Sequence, residues 1–179
     1  MIITFSGDPG SGKSTIAKEI AAWLGYEYLS IGHFMRALAQ EKNMTLLELH
    51  REAMKNTAID TYLDNKQKEL AGKNKIVLDS RLGFYFLPES IKIYLTVDEH
   101  VAAQRIYDNQ REDEKGKSIE EIRKNLHQRK QMEWQRYKAY YGVDLENKTQ
   151  FDLVLDTSQK TIPEILTLIK QFLEKKLHH

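Results

Sequence analysis

One nine-residue stretch, Gly7-Asp8-Pro9-Gly10-Ser11-Gly12-Lys13-Ser14-Thr15, leaves this chain fewer ways to fold than any other part of it. It follows the apolar run Ile2, Ile3, Thr4, Phe5 and leads into the helical pattern Ile16, Ala17, Ile20, Ala21, Leu24. Strand, loop, helix is the context that the G-x-x-x-x-G-K-[ST] pattern needs in order to work as a phosphate cradle. Gly7, Gly10 and Gly12 allow backbone angles that turn successive N–H groups onto phosphate oxygens at the positive end of the following helix. Lys13 then reaches the β- and γ-phosphates, and the Ser14 hydroxyl is the expected magnesium ligand. An ordinary glycine-rich turn is the plain alternative, and it explains neither the Lys-Ser pair nor the flanking strand and helix.

The rest of the chain reads as further strands and helices in alternation. A helix runs from about Lys13 to Leu24 and stops at Gly25, and Tyr26 to Leu29 is a short strand. Ser30 to His33 reads as a turn. Helices follow from Phe34 to about Lys42, from a Thr45-x-x-Glu48 capping box to about Lys55, and from Ile59 to Ala71, so that 33–72 forms a helical insertion. Lys75 to Asp79 and Ile91 to Thr96 are buried strands, with a loop from Ser80 to Ser90 between them. Asp98 caps a helix through Arg111, and Glu112 to Lys117 is a polar connector. Ser118-x-x-Glu121 opens a long helix to about Tyr140. Phe151 to Asp156 is a fifth strand, and Thr161-x-x-Glu164 opens a closing helix to about Lys175. Alternation of this kind implies right-handed crossovers and a five-stranded parallel sheet with helices on both faces. The expected architecture is thus an α/β fold of the P-loop NTPase class in one domain, 1–179, with a helical insert at 33–72 and a lid region at 105–141.

Composition narrows the partners. The 27 basic and 26 acidic residues nearly cancel, so no general polyanion-binding surface is expected and any basic site must be local. There is no cysteine for a disulfide framework or a thiolate zinc site, which fits a reducing cytoplasm. No apolar run approaches the ~20 residues that span a bilayer. A monomer in the cytoplasm, bound to neither membrane nor nucleic acid, is the expectation.

Several residues stand where chemistry is expected. Asp79 ends an apolar strand, in position for a magnesium-directed carboxylate, though a capping or turn aspartate has the same sequence signature. Arg129, Glu133 and Arg136 fall at i, i+4 and i+7 on one stripe of the long helix. Arginines there offer paired donors to phosphate, with a carboxylate between them for sugar hydroxyls; a solvated ion-pair ladder has the same spacing. The segment from Arg105 to Lys138 holds ten cations and seven acids. Arg36 and Arg81 follow strand ends, where open α/β sheets place ligands. Arg105 and Arg111 flank the second insert, within reach of a donor nucleotide if that insert closes. His33 and His127 read as polar helix-end and surface residues.

These residues resemble the nucleoside monophosphate kinases, and among them the short, archaeal-like cytidylate kinases, over nearly the whole chain. The phosphate loop with its Pro9-Gly10 is similar to theirs. So are Ser30-Ile31-Gly32-His33-Phe34-Met35-Arg36, Asp79-Ser80-Arg81-Leu82-Gly83, the Arg129, Glu133, Arg136 set and Tyr141-Gly142-Val143-Asp144. His33, Ser80, Leu82 and Glu133 differ from the family's usual residues. The resemblance implies transfer of the ATP γ-phosphoryl group, with Mg2+, to CMP or dCMP, with UMP a further candidate. It implies Ser14 and Asp79 as metal ligands, and Ser30, Arg36, Arg81, Arg129, Glu133 and Arg136 around the acceptor. Lys13, Asp79, Arg129 and Arg136 would act on the transferred group. The phosphate loop with Arg105 and Arg111 would hold the donor. Two other readings stay open: a kinase for a nucleoside or metabolite hydroxyl, and a nucleotide-binding regulatory module. Asn65-Lys66-Gln67-Lys68 fails the N-K-x-D pattern of a guanine-reading switch.

Overall fold

The computed structural model describes residues 1–110 and 114–177. Five parallel strands form one sheet: β1 (Ile2–Gly7), β2 (Glu27–Ser30), β3 (Ile76–Asp79), β4 (Ile91–Thr96) and β5 (Leu153–Asp156), in the order β2-β3-β1-β4-β5. β1 is buried along all six residues because it lies at the centre with both faces covered. Register brings three functional positions to one edge. Phe5 pairs with Asp79, Ser30 pairs with Asp79, and Gly7 pairs with Leu95, so the carboxyl ends of β1, β2 and β3 open together.

One face of the sheet carries α1 (Lys13–Leu24) and α8 (Ile162–Leu177), whose Ile16, Ile20, Ile165 and Ile169 pack on Ile3, Phe5, Ile93 and Leu95. On the other face Tyr94 meets Phe84, Tyr137, Leu145 and Phe151. Between β2 and β3 the chain forms α2 (Ile31–Glu41), α3 (Leu46–Ala53) and α4 (Thr57–Lys68), which share a small core of Met35, Ala39, Leu49, Ala53, Ile59 and Leu63. After β4 come α6 (Glu99–Asp108) and the long α7 (Ile119–Tyr141), held together by Ala103, Ile106, Ile122 and Leu126.

The helix read as Ile59 to Ala71 spans Thr57–Lys68 and the one read through Arg111 ends at Asp108, and two further departures lie beside the site. The stretch read as a turn, Ser30 to His33, is already helical from Ile31, because the Ser30 hydroxyl caps α2 by accepting from the His33 N–H at 3.2 Å. The loop between β3 and β4 contains one helical turn, α5 (Gly83–Phe86). Such a turn is too short to show a period.

Candidate active site

The phosphate loop hangs over β4. Gly7 has φ 153°, and a Cβ there would meet the Leu95 carbonyl oxygen at 2.4 Å; the next residue donates its N–H, Asp8 to Leu95, at 2.9 Å. No side chain caps the first turn of α1, whose cap is Gly12, so its N–H groups are directed at whatever the loop encloses. The buried Ser11 hydroxyl likewise finds no hydrogen-bond partner among the described residues. A loop with unclaimed donors at a helix start suits a polyphosphate.

Asp79 is the hub opposite. It pairs with Lys13 and accepts from Ser14 Oγ, from Tyr28 OH at 3.1 Å and from Ser30 Oγ at 3.4 Å. Burial alone would raise its pKa, but the Lys13 ammonium and the hydrogen bonds outweigh burial and hold it below the ordinary carboxylate range. Burial and the Asp79 charge push the Tyr28 phenol up to about 12, so it is a donor at neutral pH. The neighbouring Ser14 and Asp79 oxygens are hard donors of the kind a magnesium ion takes when nucleotide phosphates and waters complete its shell.

A second cluster faces the loop from α7. Arg129, Glu133 and Arg136 are 6, 4 and 2% exposed, so the stripe lies inside the molecule and is no solvated ladder. Glu133 pairs with Arg81, which also donates to the Gly7 carbonyl, and its other oxygen stands 3.3 Å from His50 Nε2. Burial would raise the Glu133 pKa, yet Arg81 foremost brings it down to about 2. Arg129 lies 3.9 Å from Glu114, and Arg136 lies 3.0 Å from Asp60. Lys130 reaches Asp8 of the phosphate loop at 3.2 Å, and Asp8 also accepts from Tyr94 OH.

Lys13, Ser14, Ser30, Asp79, Arg81 and Glu133 therefore meet in one place. Arg129 and Arg136 flank Glu133 on α7. Arg36 folds back along the first turn of α2, where a Cβ on Gly32 would lie 3.6 Å from its Nη1. Arg105 is engaged elsewhere: it donates to Thr157 Oγ1 at 3.1 Å and to the Thr157 carbonyl at 2.6 Å. Thr157 in turn donates toward the Ser11 carbonyl at 3.1 Å. Arg105 thus braces the phosphate loop from behind. Arg111 lies outside the described residues, as do Glu112 and Asp113 of the connector. Thr15 points to solvent, as does His33. His127 is half-exposed beside Glu99 at 3.0 Å.

Sequence reading missed His50, Asp60, Asp64 and Gln67, all buried on the insert and facing the cleft side of α7 or β3. A signal was present. Asp60, Asp64 and Gln67 fall at i, i+4 and i+7 on the same side of α4 as the apolar Ile59 and Leu63, which is the spacing of the α7 stripe.

Fold and site together define a P-loop phosphotransferase. Structures of similar fold include a shikimate kinase from Bacteroides thetaiotaomicron (TM-score 0.65, 19% identity, 97% of this chain and 98% of that one). A gluconokinase from Sinorhizobium meliloti 1021 gives TM-score 0.58 at 14% identity over 92% of this chain and 86% of that one. The chain belongs to the cytidylate kinase-like family, whose model matches residues 2–159. It is 41% identical to the cytidylate kinase of Natronomonas pharaonis over 162 residues, covering 89% of this chain and 82% of that protein. Against the cytidylate kinase of Archaeoglobus fulgidus the identity is 34% over 178 residues, covering 98% and 96%.

Proposed function

We propose that this protein transfers the γ-phosphoryl group of ATP, with Mg2+, to the phosphate of CMP or dCMP. The observation that carries the reading is the convergence of Arg81 with the buried Arg129, Glu133 and Arg136 opposite Lys13, Ser14 and Asp79. A hydroxyl acceptor has no use for so many cations. An acceptor phosphate does, because two polyanions must be brought together before transfer.

In the structure the carboxylates of Asp79 and Glu133 occupy Lys13 and Arg81, and they stand in for nucleotide oxygens. On binding, phosphate oxygens take over those cations. Magnesium, held by Ser14 and Asp79, would draw charge from the transferred group and align the donor phosphates. An acceptor phosphate with its second pKa near ~6 needs no general base. The work of the protein is therefore alignment, charge neutralisation and exclusion of water. Arg105 contributes through Thr157 and the phosphate loop. The reading carries with it a monomeric enzyme of the cytoplasm acting on free nucleotides, in keeping with 27 basic against 26 acidic residues.

The test is ADP release from ATP and Mg2+ with each nucleoside monophosphate in turn. Release that depends on CMP or dCMP is expected. Release unaffected by any monophosphate, or stimulated only by nucleosides or small alcohols, overturns the reading.

A further inference from the structure

An acidic side chain is an odd occupant of a phosphate cradle, because an unpaired carboxylate there repels the polyanion that the backbone N–H groups attract. Asp8 is the second residue of the loop, and its backbone is fixed, donating its N–H to the Leu95 carbonyl at 2.9 Å. Its carboxylate is engaged by two partners outside the loop. Oδ1 accepts from the Tyr94 hydroxyl on β4 at 3.2 Å and lies 3.2 Å from the Lys130 ammonium on α7. The Asp8 side chain is 10% exposed and that of Lys130 25%, so the pair is better shielded than an ordinary surface salt bridge.

Both ends of the pair are braced. The Lys148 ammonium stands 3.4 Å from the centre of the Tyr94 ring and donates to the Leu145 carbonyl. The Trp134 ring lies against both ammonium groups, 4.8 Å from Lys130 and 5.7 Å from Lys148. A second grip falls three residues along α7, where Glu133 pairs with the Arg81 that donates to the Gly7 carbonyl. Two successive loop residues are thus held from one turn of one helix. On the kinase reading above, the loop carries the donor phosphates, and Arg129 and Arg136 of that same helix carry the acceptor.

We propose that Asp8 and Lys130 are positioning residues for phosphoryl transfer, their ion pair fixing the register of the phosphate loop against α7 so that donor and acceptor phosphates line up. This rests on the kinase reading and adds to it two side chains that act without touching the reacting atoms. The alternative is an ion pair that only stabilises the fold. The two differ in the rate of the folded enzyme: misplacing reacting groups by about 1 Å costs on the order of 10²-fold, whereas a merely stabilising pair leaves kcat unchanged.

The experiment measures kcat, KM for ATP and KM for CMP in wild type, Lys130→Met, Asp8→Asn, the double variant and Lys130→Arg, each checked for folding by circular dichroism. In Lys130→Met, kcat is expected to fall roughly 10- to 100-fold. KM for ATP rises as well, because the Asp8 carboxylate is left unpaired beside the polyphosphate. Adding Asp8→Asn removes that charge, so KM for ATP returns to the wild-type value while kcat stays low, the two residues having acted as one unit. Lys130→Arg keeps the pair and most of the wild-type kcat. A folded Lys130→Met with kcat within about twofold of wild type overturns the assignment, and so does a double variant whose loss is the product of the two single losses. Lys130→Arg no faster than Lys130→Met overturns it too. Should Lys130→Met not fold, Asp8→Asn decides, since it keeps the size of the side chain and an acceptor for Tyr94: an unchanged kcat there overturns the assignment. In all these outcomes wild type still releases ADP in response to CMP, and the kinase reading stands. Wild type that responds to no monophosphate sinks both.

Discussion

Lys13 is tied to Asp79, the carboxylate that the proposed magnesium site would also use. Replacing it with Ala leaves Asp79 its three hydroxyl donors, Ser14, Tyr28 and Ser30, so the fold is expected to persist while turnover falls by roughly 10²- to 10³-fold or more. Circular dichroism with the ADP-release assay checks both halves, and normal turnover by the variant contradicts the site. His50 gives a prediction on pH. Burial foremost, against the opposing pull of Glu133, lowers its pKa to about 3, so it is neutral when folded and takes up a proton near pH 6.5 only when unfolded. Protons then bind preferentially to the unfolded chain, and stability is lost as pH falls from 6.5 toward 3. His50→Gln removes this term. Urea unfolding at pH 7.0 and 4.5 is expected to show wild type losing more stability than the variant, by on the order of 2 kcal/mol. Equal losses would place the acid sensitivity elsewhere. Asp60 runs the other way, since burial foremost raises its pKa to about 6, and this is why the variant comparison is needed.

The elements were mostly legible, for a local reason. Capping boxes at Thr45 and Ser118 form as their spacing implies, each with both reciprocal hydrogen bonds, and Gly25 stops α1 in a left-handed conformation. Signals of this kind sit within a few residues of the boundary they set. The role of Arg105 was not legible, because its acceptors come from a segment 52 residues further on and only the sheet brings the two together. Thr157 completes that link. Its hydroxyl accepts from Arg105 and lies 3.0 Å from the Thr96 carbonyl and 3.1 Å from that of Ser11. Thr157→Val keeps the shape and removes the hydroxyl. It is expected to cost about 1–3 kcal/mol of stability and to raise KM for ATP more than KM for CMP. Equal effects on the two substrates would mean that the link does not position the phosphate loop.

In the whole molecule, the insert meets α7 beside the phosphate loop, which α7 reaches through Lys130 and Asp8. His50, Asp60, Asp64 and the Met54 carbonyl on the insert side meet Glu133, Arg136, Tyr141 and Tyr140 on α7. The proposed acceptor half of the site was therefore only half read from sequence: the α7 stripe was picked out by its spacing, while the same spacing of Asp60, Asp64 and Gln67, interleaved on α4 with the apolar Ile59 and Leu63, was passed over. On the proposed function both nucleotides would lie between the same two walls, and a bisubstrate analogue joining adenosine and cytidine through phosphates is then expected to raise the melting temperature more than ATP or CMP alone. At a hundred times its Kd, such a ligand adds about 2.7 kcal/mol. A shift no larger than that of ATP would argue against adjoining sites.

The contact beneath Gly10 bears on how these walls move. A Cβ on Gly10 would come within 2.7 Å of the Cβ of Ala102, so α6 rests on the phosphate loop with no side chain between them to absorb displacement. The same helix carries Arg105 in its last turn and packs along α7. Even a modest enlargement at position 102 would wedge α6 and the phosphate loop apart, and with them the α6–α7 pair from the sheet edge that carries the loop.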